Sequence, residues 1–351
     1  MSAEEVRSRL GRLLRPGSVP ALESVRARLR SRAERMRSGE PAFPSGLERD
    51  PVSRVLARSS AFAADHAHGD WRLAEVRGAD APTLALLAND PALAGIDLED
   101  ALYLDTETSG LAGGSGTWVF LVGLGRFRAG TFEVWQGFLA EPADERELLA
   151  EAAARIRAAP CLVTFFGKAF DRHRLEDKMR IHGIERPFPG RPHLDLYHPL
   201  RRLYGAALPD ARLKTVERAL CGVEREDDLP GSRAPAAWFD FLHGRPHELA
   251  GVFRHNERDV LSLVTLAAHL ARTLAETRAD GSILSGPVGI RALSVARSFA
   301  GARRSAAAVE WFARAIERGT PPRTAAEELL CARARRRALR ESARSARQPA
   351  C

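Results

Sequence analysis

Cysteine is scarce in this sequence, and its spacing predicts neither a zinc site nor a disulfide framework. The four cysteines, Cys161, Cys221, Cys331 and Cys351, lie far apart, without a Cys-x-x-Cys pair or a histidine at zinc-finger spacing. Thiols spaced in this way are typical of proteins kept in a reducing compartment. We therefore expect a cytoplasmic location.

Long hydrophobic runs are also missing. No uncharged run approaches the ~18 residues that a membrane-spanning helix needs. The first residues, Met1 to Glu5, do not form the basic-then-apolar start of a signal sequence. The sequence therefore predicts a protein that neither spans nor crosses a membrane.

A nucleotide-binding loop is a third absence. The glycine-dense segment from Gly110 to Thr117 has no Gly-x-Gly-x-x-Gly pattern and no Lys-Ser/Thr pair, and it leads into a strand. These features exclude a phosphate-binding loop of the nucleotide type. The small side-chain bulk predicts instead a loop that a substrate backbone approaches closely.

Basic charge is what the sequence has in excess. The 351 residues are 45% hydrophobic and 28% charged, with a formal net charge of +8 and a pI of about 10.0. This composition is typical of a globular protein, and the arginine excess favours a polyanionic partner such as nucleic acid. Solvation of the surface by arginine is an alternative explanation of the same charge.

Changes in composition divide the chain into four segments. Residues 1–51 form a basic arm, helical in part, that either contacts phosphates or is a solvated tail. Residues 52–98 form a lead-in packed on the core, with a short strand over Trp71–Val76. Residues 99–278 hold the main domain, and residues 279–351 form a helical appendage with a basic tail.

The main domain alternates strands and helices. Strands that end at Asp105 and cover 118–124 and 131–139 follow one another through short turns, which predicts an antiparallel meander. A helix over 144–158 separates the first strand from a strand over 160–166, so these two are predicted to be parallel. From His193 onward helices are predicted, over Asp195–Leu203 with Asp195 as its cap, Leu213–Cys221, Ala236–Leu242 and Pro246–Thr277. The fold class is therefore α/β, with a mixed sheet flanked by helices.

Two carboxylates end the first strand of this domain. Alternate side chains of a strand face the same way, so Asp105 and Glu107 point together and Thr106 points to the other face. Two adjacent anions repel each other, and hard oxygen ligands suit Mg²⁺ or Mn²⁺. The pair predicts a metal site, and a solvated turn is the alternative.

Two further segments carry candidate acidic residues. Asp171 lies near a strand end and a helix start, and His255 and Asp259 lie one turn apart on one helix face. The three segments Asp105–Glu107, Gly167–Asp171 and His255–Val260 resemble the ordered motifs of the DEDD exonuclease superfamily, which has the ribonuclease H-like fold. Together with His193–Leu196 and Asp228–Gly231, they resemble the YprB-like ribonuclease H-like domain, over about residues 102–271.

The resemblance implies a nuclease, most specifically a 3′-to-5′ exonuclease that acts on a single-stranded end of RNA or DNA. It implies two Mg²⁺ or Mn²⁺ ions, ~3.5–4 Å apart, and His255 as the base that accepts a proton from the attacking water. The metal ligands it implies are Asp105, Glu107, Asp171 and Asp259, and the expected substrate contacts are Thr106, Gly110, Leu111 and Lys168.

Two departures from the family weaken this transfer of roles. Phe166 stands where the family commonly has Asn before the glycine of the second motif. His255 occupies the position at which the tyrosine-type enzymes carry Tyr, while the histidine-type enzymes carry His one residue earlier. A helix-packing role is therefore the alternative for His255.

Two other functions compete with the nuclease. One is a catalytically silent nucleic-acid-binding or scaffold module that keeps the fold. The other is an adaptor that binds a protein partner through its C-terminal helices, since small and aromatic residues there match one tetratricopeptide-like helix pair. Those residues are Ala292, Val295, Ala296, Phe299, Ala308, Phe312, Ala315 and Pro321.

Overall fold

The computed structural model describes residues 43–110, 116–245, 247–275 and 289–345. The basic arm up to residue 42 and the candidate substrate contact Leu111 lie outside these residues. The chain divides into the compact units Met1–Ser45 and Gly46–Cys351, and the strands and helices of the described residues all lie in the second unit.

A seven-stranded sheet forms the centre of the protein, in the order β1-β2-β7-β6-β5-β8-β9. Strands β5, β8 and β9 are parallel, and the other neighbours are antiparallel. Two short strands, β3 and β4, form a separate pair. The strands are β1 (Glu48–Arg49), β2 (Leu56–Ala63), β3 (Ala67–His68), β4 (Trp71–Arg72), β5 (Leu102–Thr108), β6 (Val119–Arg128), β7 (Thr131–Phe138), β8 (Leu162–Thr164) and β9 (His193–Asp195).

Helices pack around this sheet. They are α1 (Ala81–Ala88), α2 (Glu145–Arg157), α3 (Asp171–Ile181), α4 (Tyr197–Tyr204), α5 (Leu213–Cys221), α6 (Ala234–Leu242), α7 (Leu249–Arg272), α8 (Ala292–Gly301), α9 (Ser305–Glu317) and α10 (Ala325–Ser345). Short 3₁₀ helices cover Leu73–Val76, Pro91–Gly95, Pro142–Asp144 and Gly231–Arg233. The mixed sheet with flanking helices confirms the predicted fold class.

Three details of the predicted secondary structure were wrong. The eight-residue strand β2 was not predicted, although it pairs with β7 along its whole length. The segment from His193 begins with the short strand β9, and the helix starts two residues after Asp195. Only Trp71 and Arg72 are extended in the segment predicted as a strand to Val76, because a 3₁₀ turn follows them.

The long helix α7 crosses the sheet at close range, and two glycines of β6 make this possible. A Cβ on Gly123 would lie 2.2 Å from the Asn256 Oδ1 atom, and one on Gly125 would lie 2.5 Å from Val260 Cγ1. Any larger side chain would push α7 away from the sheet. The two glycines of β6 therefore determine how closely α7 approaches the sheet, and hence where the polar residues of α7 lie.

The C-terminal helices are continuous with the main core. Arg291 N donates to Leu203 O at 2.9 Å, and Ser294 Oγ donates to Arg202 O at 2.7 Å, so α8 is attached to the end of α4. The predicted helix pair is α8 and α9, and a third helix, α10, occupies the segment predicted as a basic tail. In the part of the chain that the structure describes, no helix is long and apolar enough to span a membrane.

Candidate active site

The candidate site lies where three parallel strands end. β5 pairs with β8 and β8 pairs with β9, so their carboxyl ends meet at one edge of the sheet. The β5–β6 register shifts between Glu107 and Thr108, and such irregularities re-aim side chains at strand ends. Asp105 and Glu107 come from β5, Asp171 begins α3, and α7 brings its polar residues to the same place.

Asp105 is held by a chain of amides. Asn256 Nδ2 donates to Asp105 Oδ2 at 2.8 Å, and Gln136 Nε2 donates in turn to Asn256 Oδ1 at 2.8 Å. Gln136 and Asn256 are fully buried, so neither amide is free to rotate into solvent. These two hydrogen bonds link Gln136 of β7 through Asn256 of α7 to Asp105, and they fix the orientation of the Asp105 carboxylate.

Asp171 contacts the strand that carries the other carboxylates. Thr106 Oγ1 donates to Asp171 Oδ1 at 2.5 Å, and both residues are buried. A charge-assisted bond of this kind is stronger than one between neutral groups. Thr106, predicted as a substrate contact, is thus bonded to a candidate metal ligand.

Asp259 is paired with a buried arginine. Arg225 Nη2 lies 2.5 Å from Asp259 Oδ1, and the same guanidinium binds both carboxylate oxygens of Glu217 at 2.5 and 2.7 Å. The side chains of Arg225 and Glu217 are 1% and 0% exposed. One cation and two carboxylates therefore form a desolvated network, and each charge depends on its neighbours for compensation.

His255 lies between two carboxylates. Its Nδ1 is 2.9 Å from Asp228 Oδ1, and its Nε2 is 3.6 Å from Asp259 Oδ2. Asp228 also lies 3.6 Å from Arg225 Nη1. The imidazole is therefore oriented by Asp228 and reaches Asp259 across one helical turn.

Burial raises the pKa values of three carboxyl groups of the site, those of Asp105, Glu107 and Asp171. Burial, followed by the charges of Asp259, Asp171 and Glu107, raises the pKa of Asp105 well above its usual range. Burial raises the pKa of Glu107 to about 8, with His255 opposing and the nearby carboxylates adding to the rise. Burial raises the pKa of Asp171 to about 6, although the Thr106 hydrogen bond opposes the rise. Three carboxylates thus resist ionisation at one place, because burial and mutual repulsion outweigh the nearby cationic charge.

Burial usually lowers the pKa of a histidine, but the pKa of His255 is raised. Burial alone would lower it, but the charge of Asp259, the hydrogen bond to Asp228 and the charge of Glu107 raise the pKa to about 9. At neutral pH the ring is therefore protonated when no other cation is present.

The carboxylate oxygens of the site are suitable ligands for a hard divalent cation, but in the described residues they do not point to one common position. Carboxylate oxygens are the ligands that Mg²⁺ and Mn²⁺ prefer. Among the residues described, no group of three or more His, Cys, Asp or Glu side chains is arranged to hold a metal ion. The partners explain this arrangement, because Thr106 engages Asp171 and Arg225 engages Asp259.

An exposed aromatic side chain stands beside the site. Phe166 follows β8 with a left-handed backbone, φ 62°, and is 41% exposed. Its ring meets the Tyr197 ring edge-on at 4.7 Å. Asp195 fixes this geometry, because its carboxylate accepts from the backbone N–H groups of Phe166 at 2.8 Å and Lys168 at 3.0 Å.

The remaining predicted residues have mixed placements. Asp195 was predicted to cap α4, but Leu196 holds the capping position. Asp195 Oδ1 still accepts from Tyr197 N, the first helical N–H, at 3.1 Å, in addition to its bonds at the Phe166 turn. Lys168, a predicted substrate contact, places its Nζ 3.2 Å from Asp90 Oδ2. The carbonyl of Gly110 accepts from Thr108 Oγ1 at 3.1 Å.

Sequence reasoning gave no role to Arg225, Glu217, Gln136, Asn256 or Asp228. Asn256 and Asp228 stand inside motifs that carry the family resemblance, and that was the available signal. Gln136 is the polar residue in a buried stretch of β7, which could have indicated a buried hydrogen bond. Arg225 lies in a run of charges from residue 224 to 228, which resembles a solvated loop.

Comparison with known proteins supports the family resemblance. Residues 102–271 match the family model of the RNase_H superfamily. The chain is also 33% identical over 224 residues to YprB, an uncharacterized protein of Bacillus subtilis (strain 168), with 62% of this chain and 54% of YprB covered. The chain thus spans about half the length of this curated relative. Both matches confirm the resemblance carried by the motifs, and residues 102–271 form a domain of the ribonuclease H superfamily.

Proposed function

We propose that this protein is a metal-dependent nuclease, and specifically a 3′-to-5′ exonuclease that hydrolyses phosphodiester bonds. One observation carries the proposal: Asp171 and Asp259, from two separate segments, lie close enough to Asp105 and Glu107 for their charges to raise the pKa values of that pair. Clustered buried anions destabilise a fold that does not use them. Catalytic metal ions bound by these carboxylates would compensate their negative charge, which explains why the cluster exists.

The residues have distinct proposed roles. Asp105, Glu107, Asp171 and Asp259 would hold two Mg²⁺ or Mn²⁺ ions, which supply charge stabilisation at the attacking and leaving oxygens when bound. Asn256 orients Asp105, because it donates to one carboxylate oxygen and is itself fixed from β7. His255 would take the proton of the attacking water once its own proton has been displaced.

Phe166 supports a single-stranded end as the substrate. Bases of single strands stack on exposed aromatic side chains, with about 1–3 kcal/mol per base. The Phe166 ring is exposed, is braced by Tyr197, and lies at the sheet edge that carries the carboxylates. Held in this way, its exposed apolar surface would contact an unpaired base.

A silent nucleic-acid-binding module is the second candidate. Its supporting observation is the ion pair between Arg225 and Asp259, which neutralises one of the four carboxylates without a metal. The absence of a converged three-residue metal group within the described ranges agrees with it. The buried free thiols Cys161, Cys221 and Cys331 suit the cytoplasm under either function.

End-labelled oligonucleotides distinguish the two functions. Single-stranded RNA and DNA, labelled at either the 5′ or the 3′ end, are incubated with protein in Mg²⁺, Mn²⁺ or EDTA. The nuclease proposal expects metal-dependent shortening from the 3′ end, and a loss of more than about 100-fold in Asp105→Asn. Glu99→Gln is the matched control, because Glu99 pairs with Arg77 at the surface. Binding without cleavage in every metal would establish the silent module.

A further inference from the structure

From residue 46 onward, the basic charge is concentrated in the C-terminal helices. Residues 46–290 contain 29 Lys and Arg against 35 Asp and Glu, a formal charge of −6. Residues 291–345 contain 13 Arg and 5 Glu, with no Lys or Asp, a formal charge of +8. A general compositional preference for arginine would not divide the charge in this way. The segregation points to a local use of the C-terminal charge.

Arginines of α10 line a groove of about 600 Å³ between this helix and the α8–α9 pair. Successive residues of a helix are rotated by about 100°, so the five groove arginines fall within an arc of about 100°. Arg335 falls on the opposite side of the helix. The groove arginines are Arg333, Arg336, Arg337, Arg340 and Arg344.

The helix that carries this row is fixed in place. Cys331 and Ala334 of α10 are buried against the other two helices. Ser305 Oγ of α9 donates to Glu341 Oε1 at 3.4 Å, and Arg297 of α8 lies 3.5 Å from Glu327. The arginines are therefore presented on a packed element, which lowers the entropy lost when a ligand binds.

Most of the groove charge has no internal compensation. Arg337 lies 4.0 Å from Glu341, and within the described part of the chain Arg333, Arg336, Arg340 and Arg344 have no carboxylate partner. The row extends over about 16 Å, since a helix rises 1.5 Å per residue. Like charges in such a row repel one another, and a ligand with repeated anions removes that repulsion.

We infer that the α10 groove binds the phosphate backbone of single-stranded nucleic acid, as an accessory site to the proposed nuclease centre. Guanidinium groups bind phosphates in a bidentate manner, and a row of them suits a repeating phosphodiester. An acidic protein segment fits less well, because the only apolar side chains among the groove residues are those of Leu330, Ala300 and Ala334, and five of the ten are arginines. The inference rests on the proposed function for the identity of the polyanion.

Fluorescence anisotropy with a labelled oligothymidylate or oligouridylate, in EDTA and at 50–300 mM salt, tests the inference. The groove variant carries Arg336→Gln and Arg340→Gln, because glutamine keeps the helix propensity and removes the charge. The control variant carries Arg128→Gln and Arg335→Gln, two exposed arginines that do not line the groove. Both variants therefore have the same net charge.

The expected result follows from counterion release. Each phosphate contact to a single strand contributes about 0.7 to the slope of log affinity against log salt. The groove variant should therefore lose about 1.4 from the slope and about 25-fold in affinity at 0.1 M salt. The control variant should keep the wild-type slope. Equal slopes in the groove variant and wild type would overturn the inference, as would stronger binding of polyglutamate than of the oligonucleotide.

The same variants separate this inference from the proposed nuclease. Cleavage by wild type together with unchanged binding by the groove variant would refute the groove and leave the nuclease intact. Weaker binding by the groove variant, in a protein that cleaves nothing with Mg²⁺ or Mn²⁺, would support the groove and refute the nuclease. Helical content measured by circular dichroism shows whether α10 remains folded in each variant.

Discussion

The carboxylate cluster makes Glu107→Gln a stabilising substitution in metal-free protein. The pKa of Glu107 rises from 4.5 to about 8, so the folded state binds its proton more tightly than the unfolded state does. A carboxyl shifted in this direction destabilises the fold above pH 4.5, and the cost grows until pH passes the folded-state value. Glutamine has no charge to lose, so it removes this pH dependence.

The magnitude follows from the shift. One pKa unit corresponds to about 1.4 kcal/mol, so the cost of the Glu107 charge is below about 1 kcal/mol at pH 5 and about 3 kcal/mol at pH 7. It reaches about 4–5 kcal/mol at pH 9. These values are upper limits, because Asp105 and Asp171 share the same repulsion and take up protons in its place. Any fixed cost of burying the amide is the same at every pH.

Urea unfolding at pH 5, 7 and 9 in EDTA measures the difference between the two proteins. We expect the free energy of unfolding of Glu107→Gln, relative to wild type, to rise by about 2–4 kcal/mol from pH 5 to pH 9. Mg²⁺ should stabilise wild type more than the variant, because the cation compensates the charge that glutamine lacks. Glu99→Gln, at an exposed ion pair, should show no such trend. A difference that stays constant with pH would refute the assignment of Glu107 to a repulsive cluster.

Four further expectations concern the buried or half-buried side chains of His255, Arg225 and His68. In metal-free protein the pKa of His255, measured by NMR, should be near 9 and should fall when Mg²⁺ is added; a metal-free value near 6.5 would contradict the described charges. If His255 is the general base, His255→Ala should slow cleavage by about 10²–10⁴-fold at nearly constant nucleic-acid affinity. Arg225→Met should lower the free energy of unfolding by about 3–5 kcal/mol, because it leaves its carboxylate partners unpaired. The double variant Arg225→Met/Glu217→Gln should recover part of this loss. If the effects of the two substitutions on the free energy of unfolding are additive, the network is refuted. Burial, aided by the charge of Arg225, lowers the pKa of His68 to about 3, so its neutral form stabilises the fold above pH 6.5 and that contribution is lost as pH falls. Wild type should lose about 2 kcal/mol more than His68→Gln between pH 7 and pH 5 in urea unfolding, and parallel losses would exclude a neutral buried histidine.

The acidic residues were predictable because local pattern determines where they lie. Asp105 and Glu107 stand at the end of an apolar strand with one residue between them, and His255 and Asp259 stand one helical turn apart. The strand and helix periods fix both relations without knowledge of the fold. Asp171 follows the next parallel strand, so the topology brings it to the same edge.

The missed elements depend on contacts that are distant in the sequence. Strand β2 consists largely of Leu, Ala, Arg and Ser, and the segment Leu56–Ala63 becomes a strand because β7 offers a free edge. Strand β9 has only three residues, too few to show a period. Arg225 is separated from Asp259 by 34 positions, and its burial appears only when the loop folds onto α5 and α7.

Arg225 also explains how charge is distributed within the site. It compensates Asp259 directly, whereas Asp105 is held by a neutral amide and Asp171 by a neutral hydroxyl. The uncompensated negative charge is therefore concentrated at the β5 and α3 side of the site, where the pKa values of Asp105 and Asp171 are raised. A cation gains the most on that side, because its charge there replaces no existing ion pair. On the α7 side a cation must compete with a guanidinium that Glu217 and Asp259 already hold. The two halves of the proposed centre therefore differ in the free energy available for binding.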